Sequence, residues 1–233
     1  MTIPLVLVHS PSVGPSTWLP VARRLHLRGV DAVVPDLRHI GTGGPPYWPR
    51  VAGVVADAMG QLDDPGPVAL VAHSNAGLFL PAVAESSPRP VGAAVFVDAG
   101  LPHEDGETPV APPEFLPLLR GLADPRGMLP RWTEWWPEEE VAALLPDPRV
   151  RAEVVADQPR LPLDYYEQTL PVPASWASVR CGYLQFSPAY DDEAARARRA
   201  GWPVEVVRGG HLHQVVDPDR VTDVLLDILA RIL

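Results

Sequence analysis

Val71-Ala72-His73-Ser74-Asn75-Ala76-Gly77 follows the apolar run Val68–Val71 and leads into a helical pattern over Leu78–Glu85. A serine held at so sharp a strand-to-helix turn projects its hydroxyl above the edge of a sheet. The turn demands small residues two before and two after it. Ala72 and Ala76 meet that demand, in places where glycine is the commoner residue. The helix start supplies N–H groups and a positive dipole end for developing negative charge. The plainer reading of the same residues is a serine N-cap; Ser74 as a nucleophile is preferred because a base is available further along the chain.

Five more short apolar runs read as buried strands: Ile3–Val8, Asp31–Val34, Val91–Val97, Gly182–Phe186 and Val204–Val207. Helical patterns lie between several of them, at Trp18–Leu27, Tyr47–Leu62 and Asp191–Ala200. The last helix, Pro218–Leu233, opens on Asp217-Pro218, an N-cap followed by a first-turn proline. Alternating strand and helix predicts an α/β fold, a doubly wound, mainly parallel six-stranded sheet with right-handed crossovers. In such sheets ligands sit beyond the carboxyl ends of the strands.

The alternation breaks once. Residues 103–176 hold 13 of the 30 prolines and 14 acidic residues against 6 arginines, close to the whole of the chain's net charge of −10. Prolines at this density do not suit long helices, but Trp132, Trp135, Trp136, Trp176 and the leucines argue against disorder. The stretch is expected to form a compact lid of short helical pieces inserted between the fourth and fifth strands, over a core made of residues 1–102 and 177–233. Trp132 and Trp136 are expected to pack the lid and to wall a substrate pocket. Tyr165 and Tyr166 read as lid core first and pocket lining second.

Composition narrows the chemistry. The chain has 233 residues, enough for one well-cored domain, and 46% are hydrophobic. Its acidic balance speaks against a nucleic-acid partner, which needs a basic face. All 19 basic residues are arginine, which removes Schiff-base chemistry and the lysine of a phosphate-binding loop. No run approaches the ~20 apolar residues of a membrane span. The opening Met1-Thr2-Ile3-Pro4-Leu5-Val6 has no basic stretch ahead of its apolar run, so a cytoplasmic protein is expected. The single cysteine, Cys181, starts a strand and reads as a small buried apolar residue.

Gly209-Gly210-His211-Leu212-His213 follows the last strand. A serine hydroxyl is a weak nucleophile and needs a base within hydrogen-bond reach. His211 is the preferred base; His213 is the alternative, and otherwise lines the pocket or packs under the lid. His73 reads as structural. A metal site is not expected, because no further cluster completes the His-x-His pair.

These motifs resemble the α/β-hydrolase superfamily over essentially the whole chain. Leu7-Val8-His9-Ser10-Pro11 resembles the His-Gly segment after an early strand, and Val34-Pro35-Asp36-Leu37-Arg38 the Pro-Asp-Leu-Arg segment after the next. Gly210-His211 with Asp217-Pro218 resembles the terminal histidine motif. The compact start is similar to the plant methylesterase and hydroxynitrile lyase branch, and the lysine-free composition to small hydrolases of high-GC actinobacteria. The resemblance implies an α/β-hydrolase fold and a triad acid shortly after the fifth strand. There the acids sit where the next helix begins, so Asp191 reads more naturally as an N-cap. Some superfamily members carry the acid after the fourth strand, where Asp98 stands, and Asp98 is preferred to Asp191 as the residue that orients His211.

The resemblance also implies an oxyanion hole with one N–H from the residue after the nucleophile, Asn75. The other comes from the residue after the His-Gly pair. Here that residue is Pro11, which has no N–H. Ser10 or Ser12 is expected to supply a hydroxyl or amide instead, and the Asn75 side chain to add a polar contact at the mouth of the site. The expected activity is cofactor-independent hydrolysis of an ester or thioester of a small, mostly apolar molecule by Ser74, His211 and Asp98. Two rivals stand beside it: lyase, cyclase or epoxide-opening chemistry on the same fold, and a non-catalytic binder. The expected partner is a small-molecule substrate, without nucleic acid or membrane, and a homodimer is left open.

Overall fold

The computed structural model describes residues 3–233; Met1 and Thr2, the first residues of the lead-in noted above, lie outside the described residues. In chain order the regular elements begin with β1 (Leu5–Val8), α1 (Leu19–Leu27), β2 (Ala32–Val33), α2 (Trp48–Met59), β3 (Val68–His73), α3 (Leu80–Glu85) and β4 (Val91–Val97). An inserted stretch follows with β5 (Gly106–Pro109), α4 (Leu116–Leu122), α5 (Glu138–Leu144), α6 (Pro148–Ala156), α7 (Leu163–Glu167) and β6 (Thr169–Val172). The chain then returns through β7 (Arg180–Gln185), α8 (Asp191–Arg199), β8 (Val204–Val206), α9 (His213–Val216) and α10 (Pro218–Ile232).

Six strands form one sheet in the order β2-β1-β3-β4-β7-β8, every neighbouring pair parallel. Successive side chains of a strand point to opposite faces, and both faces are covered here. Leu5, Leu7, Ala69, Val71, Val95 and Leu184 pack toward α1 and α10. Val6, Val8, Leu70, Ala72, Phe96 and Tyr183 pack toward α2, α3 and α8. That two-sided burial explains why the strands read as continuous apolar runs rather than alternating ones. Helix α10 buries Val221, Val224, Leu225, Ile228, Leu229 and Ile232, the spacing of a single helical face. Asp217 caps it as expected, its side chain accepting the Arg220 N–H at 3.0 Å.

The chain passes from β1 outward to β2, then crosses back to lay β3 on the other side of β1. The sheet's direction of growth therefore reverses between β1 and β3, and the crevice beyond their carboxyl ends is where such folds bind ligands.

The insertion differs in one respect from a set of helical pieces. Its helices are short, five to nine residues each, but β5 and β6 pair as an antiparallel ribbon with Thr108 opposite Leu170. Each ribbon strand carries a proline, Pro109 and Pro171, which is tolerated because a two-stranded ribbon has edges that need no N–H donor.

Candidate active site

Ser74 stands at the end of β3 with φ of 59°, in the left-handed region that a serine seldom occupies. Ala72 and Ala76 beside it are fully buried. Gly77 is required by space: a Cβ there would lie 2.4 Å from the Gly100 carbonyl oxygen. The chain leaves the turn as a 3₁₀ segment, Ser74–Phe79, before α3 begins. The first N–H groups of such a segment have no partner within it, so the Asn75 N–H is available beside the Ser74 hydroxyl.

His211 reaches Ser74 from the loop between β8 and α9. Two glycines make that loop possible. A Cβ on Gly209 would meet the His213 ring at 2.2 Å, and one on Gly210 would meet Leu144 at 2.5 Å. The His211 Nε2 lies 2.9 Å from Ser74 Oγ, and its Nδ1 lies 2.8 Å from Asp98 Oδ2. An ionised carboxylate only accepts, so Nδ1 carries the proton and bare Nε2 accepts the Ser74 hydroxyl.

Asp98 directly follows β4 and is fully buried. Burial opposes its charge, but the His211 N–H, the Ser187 and Phe186 backbone N–H groups and the Ser187 hydroxyl outweigh it. The carboxyl is held below its ordinary range. The loop after β7 thus furnishes donors to Asp98. Asp191, the alternative acid, is exposed and takes its hydrogen bond from Gln185.

His73 lies under this chain. Its Nε2–H donates to the His211 carbonyl at 2.7 Å, and the two rings are 4.5 Å apart. Burial, with the neighbouring His211, pushes its pKa down to about 3, so it supports the His211 loop without adding charge. His9 does similar work on the other side. Its Nδ1–H donates to the Ser10 carbonyl and its Nε2 accepts the Leu37 N–H, joining the loops after β1 and β2.

The serine opens into a cavity of about 610 Å³ walled largely by apolar and aromatic side chains. Trp132 and Trp136 both line it, Trp132 with its ring 6.0 Å from His211. Ser10 and Ser12 line it as well, beside the proline that lacks an N–H. The Ser12 hydroxyl is 2.6 Å from that of Tyr166, which also faces the cavity. Tyr165 is buried in the inserted stretch, stacked on Phe79.

Two of the expected placements are corrected. His213 packs its ring against Phe186 over Gly209, outside the cavity wall, because the turn at Gly210 sends residues 211 and 213 to different sides. The Asn75 residue borders the cavity, but its side chain is committed to the insertion: it donates to the Val110 carbonyl and accepts from the Tyr165 hydroxyl. Cys181 is buried, which pushes its thiol up to about 12 and removes it as a nucleophile.

Two site residues escaped the sequence reading. Ser187 bonds Asp98 three ways with its neighbour Phe186, and Tyr190 stacks on His211 with ring centres 5.2 Å apart. Both belong to the loop after β7, just ahead of the acids Asp191, Asp192 and Glu193, which carry the stronger sequence signal.

The profile of the α/β hydrolase family matches residues 5–224. The chain belongs to the α/β hydrolase family. No curated protein sequence matches it. Among solved structures this α/β hydrolase is similar to an extracellular α/β-hydrolase from a Paenibacillus species, itself described as sharing structural and functional homology with tobacco salicylic acid binding protein 2. The TM-score is 0.75 at 17% identity, covering 97% of this chain and 98% of the other. It is similar to tomato methylketone synthase I, with a TM-score of 0.72, 15% identity and full coverage of both chains. Polyneuridine aldehyde esterase gives a TM-score of 0.71 at 16% identity, over 98% of this chain and 99% of its own. At these identities the likeness is one of fold. Among the described residues no helix is long and apolar enough to cross a membrane.

Proposed function

We propose that this α/β hydrolase is a cofactor-independent serine hydrolase acting on an ester or thioester of a small, mostly apolar molecule. The observation that carries the reading is the unbroken hydrogen-bonded chain Ser74–His211–Asp98, with links of 2.9 and 2.8 Å, opening into an aromatic-walled cavity. Ser74 attacks the carbonyl carbon while His211 Nε2 takes its proton. Asp98 fixes the tautomer of His211 and stabilises the imidazolium that forms. His211 then returns the proton to the leaving oxygen or sulfur as the bond to the acyl group breaks. Water repeats the sequence on the acyl-enzyme and releases the acid.

The Asn75 N–H receives the oxyanion. Pro11 has no N–H to give, and loss of one such donor costs about 10²–10³ in rate. The Ser10 and Ser12 hydroxyls on the same wall are the replacement. Residues 103–176 act as the lid, with Trp132 and Trp136 shaping the acyl pocket. Among the described residues, the acidic ones on the wall are Glu140 and Glu193 and no arginine lines it, so an anionic substrate is disfavoured.

Intact-protein mass after a fluorophosphonate probe tests the reading. Stoichiometric labelling of the wild type, lost in Ser74→Ala and His211→Ala, is the expected result. A folded wild type that neither labels nor cleaves a p-nitrophenyl ester overturns it. The missing donor at Pro11 then favours the second reading, non-hydrolytic chemistry of the lyase, cyclase or epoxide-opening kind, in which Asp98 is essential and Ser74 is not. A hydroxynitrile-lyase mechanism of the plant type fits poorly, because the chain has no lysine.

A further inference from the structure

The Tyr190 hydroxyl lies 3.5 Å from Ser74 Oγ, just beyond a full O–H···O bond. The direction of that contact follows from the rest of the chain. His211 Nδ1–H is given to Asp98, so the Ser74 proton is given to His211 Nε2. Ser74 Oγ can then only accept from Tyr190, whose O–H has no nearer acceptor among the described residues. Burial raises the phenol's pKa, so it keeps its proton across the working range. The ring lies nearly parallel to the His211 imidazole, 11° between planes, and this fixes where the hydroxyl points. A donor whose one acceptor among the described residues is a long 3.5 Å away is thus held against the reacting oxygen.

Its side of the site assigns the role. The oxyanion is received at the helix start, by the Asn75 N–H that follows Ser74. The leaving oxygen must instead lie against His211 Nε2, since it takes its proton there. Tyr190 rests on His211 and shares that side. We infer that Tyr190 is a catalytic residue that donates a hydrogen bond to the leaving oxygen as its bond to the acyl carbon breaks. The assignment rests on the serine-hydrolase reading above. The acyl group moves from the leaving oxygen to Ser74 Oγ, the Ser74 proton travels through His211 to the leaving oxygen, and Tyr190 retains its own proton throughout. Hydrogen bonds that are long in the free enzyme tighten when charge develops, which accounts for 3.5 Å in the resting site.

The test is Tyr190→Phe, which keeps the ring on His211 and removes only the hydroxyl. Wild type and variant are compared on acyl-matched esters whose alcohols run from p-nitrophenol to a simple alkanol. A poor leaving group needs the donor most. The expected result is a fall in kcat/KM, which reports the acylation step in which the alcohol leaves, of roughly 10²-fold on the alkyl ester, of the size seen when one preorganised donor is removed. On the nitrophenyl ester the fall should be under about tenfold, because its phenolate is a good leaving group and needs little help. Equal losses across the series would mean that Tyr190 only positions His211, and no loss would mean that its hydroxyl is idle; either overturns the assignment. Fluorophosphonate labelling of the wild type separates the two failures. A labelled wild type with a flat series removes Tyr190 alone, whereas an unlabelled one removes the hydrolase reading and this assignment together.

Discussion

Ser74 and Asp98 are the two non-glycine residues with positive φ among the described residues, at 59° and 42°, and they directly follow the adjacent strands β3 and β4. The Gly100 N–H, two residues past Asp98, donates to the Ser74 carbonyl at 3.2 Å and ties the two turns together. Backbone strain of this kind costs about 1–3 kcal/mol per residue and persists only where the surroundings enforce it. Here it lifts the hydroxyl and the carboxylate to the same edge of the sheet, one on each side of His211.

Strain at Ser74 can be read from two substitutions. Ser74→Ala removes the hydroxyl but keeps the Cβ in its unfavourable place. Ser74→Gly removes both, gaining about 1–2 kcal/mol from the left-handed region and losing about 0.4–1 kcal/mol to the freer unfolded chain. Glycine is therefore expected to be at least as stable as alanine in urea unfolding. A glycine variant that is less stable by more than about 1 kcal/mol would refute stored strain at this turn.

The identity of the acid is a second clear test. Asp98→Asn leaves the shape intact but favours the wrong tautomer of His211, and kcat is expected to fall about 10⁴-fold. Asp191→Asn removes only a partner of Gln185 on an exposed helix start, and activity should stay within about threefold. Esterase assays on both variants decide between them. Asp98 also predicts a stability profile. Its folded pKa is depressed, so its contribution is fully present above the unfolded value of about 3.9 and is lost as pH falls below it. Asp98→Asn should flatten that acid limb.

Much of this was legible because the chemistry is local. Val91–Val97 reads as β4 residue for residue, since a run buried on both faces needs no partner to be seen. Ser74, His211 and Asp98 each follow a strand, so the fold brings them to one edge. What stayed hidden depends on contacts between distant loops. β5 and β6 are 60 residues apart and proline-bearing, and neither Gly106–Pro109 nor Thr169–Val172 signals a strand alone. Ser187 and Tyr190 are defined by what they face, Asp98 and Ser74, 89 and 116 residues away. Asn75 looked like a mouth residue because its amide's partners, Val110 and Tyr165, lie in the insertion.

Gly77 carries a packing prediction. The Gly100 carbonyl would face an added methyl at 2.4 Å, and that carbonyl's own residue is bonded to Ser74. A backbone oxygen cannot swing away as a side chain would. Gly77→Ala is expected to destabilise by about 2 kcal/mol or more and to lower labelling of Ser74 through displacement of the turn. A variant with an unchanged urea midpoint would show that the β4 loop gives way freely.

The two buried histidines set the onset of acid unfolding. Burial pushes His9 down to about 4 and His73 to about 3, while an unfolded histidine takes its proton near 6.5. Between those values the unfolded chain binds more protons, so stability rises with pH in this window. Loss should therefore begin as pH falls through about 6.5, well above the carboxylate range, with each histidine adding up to about 1.4 kcal/mol per pH unit. Urea titrations at pH 7.5, 6 and 5 measure the slope. His73→Gln retains a donor for the His211 carbonyl but cannot titrate, so whatever its absolute stability, its slope between pH 6 and 5 should fall by about half. An unchanged slope would mean that His73 takes up its proton in the folded protein, which its hydrogen-bonded place beneath His211 argues against.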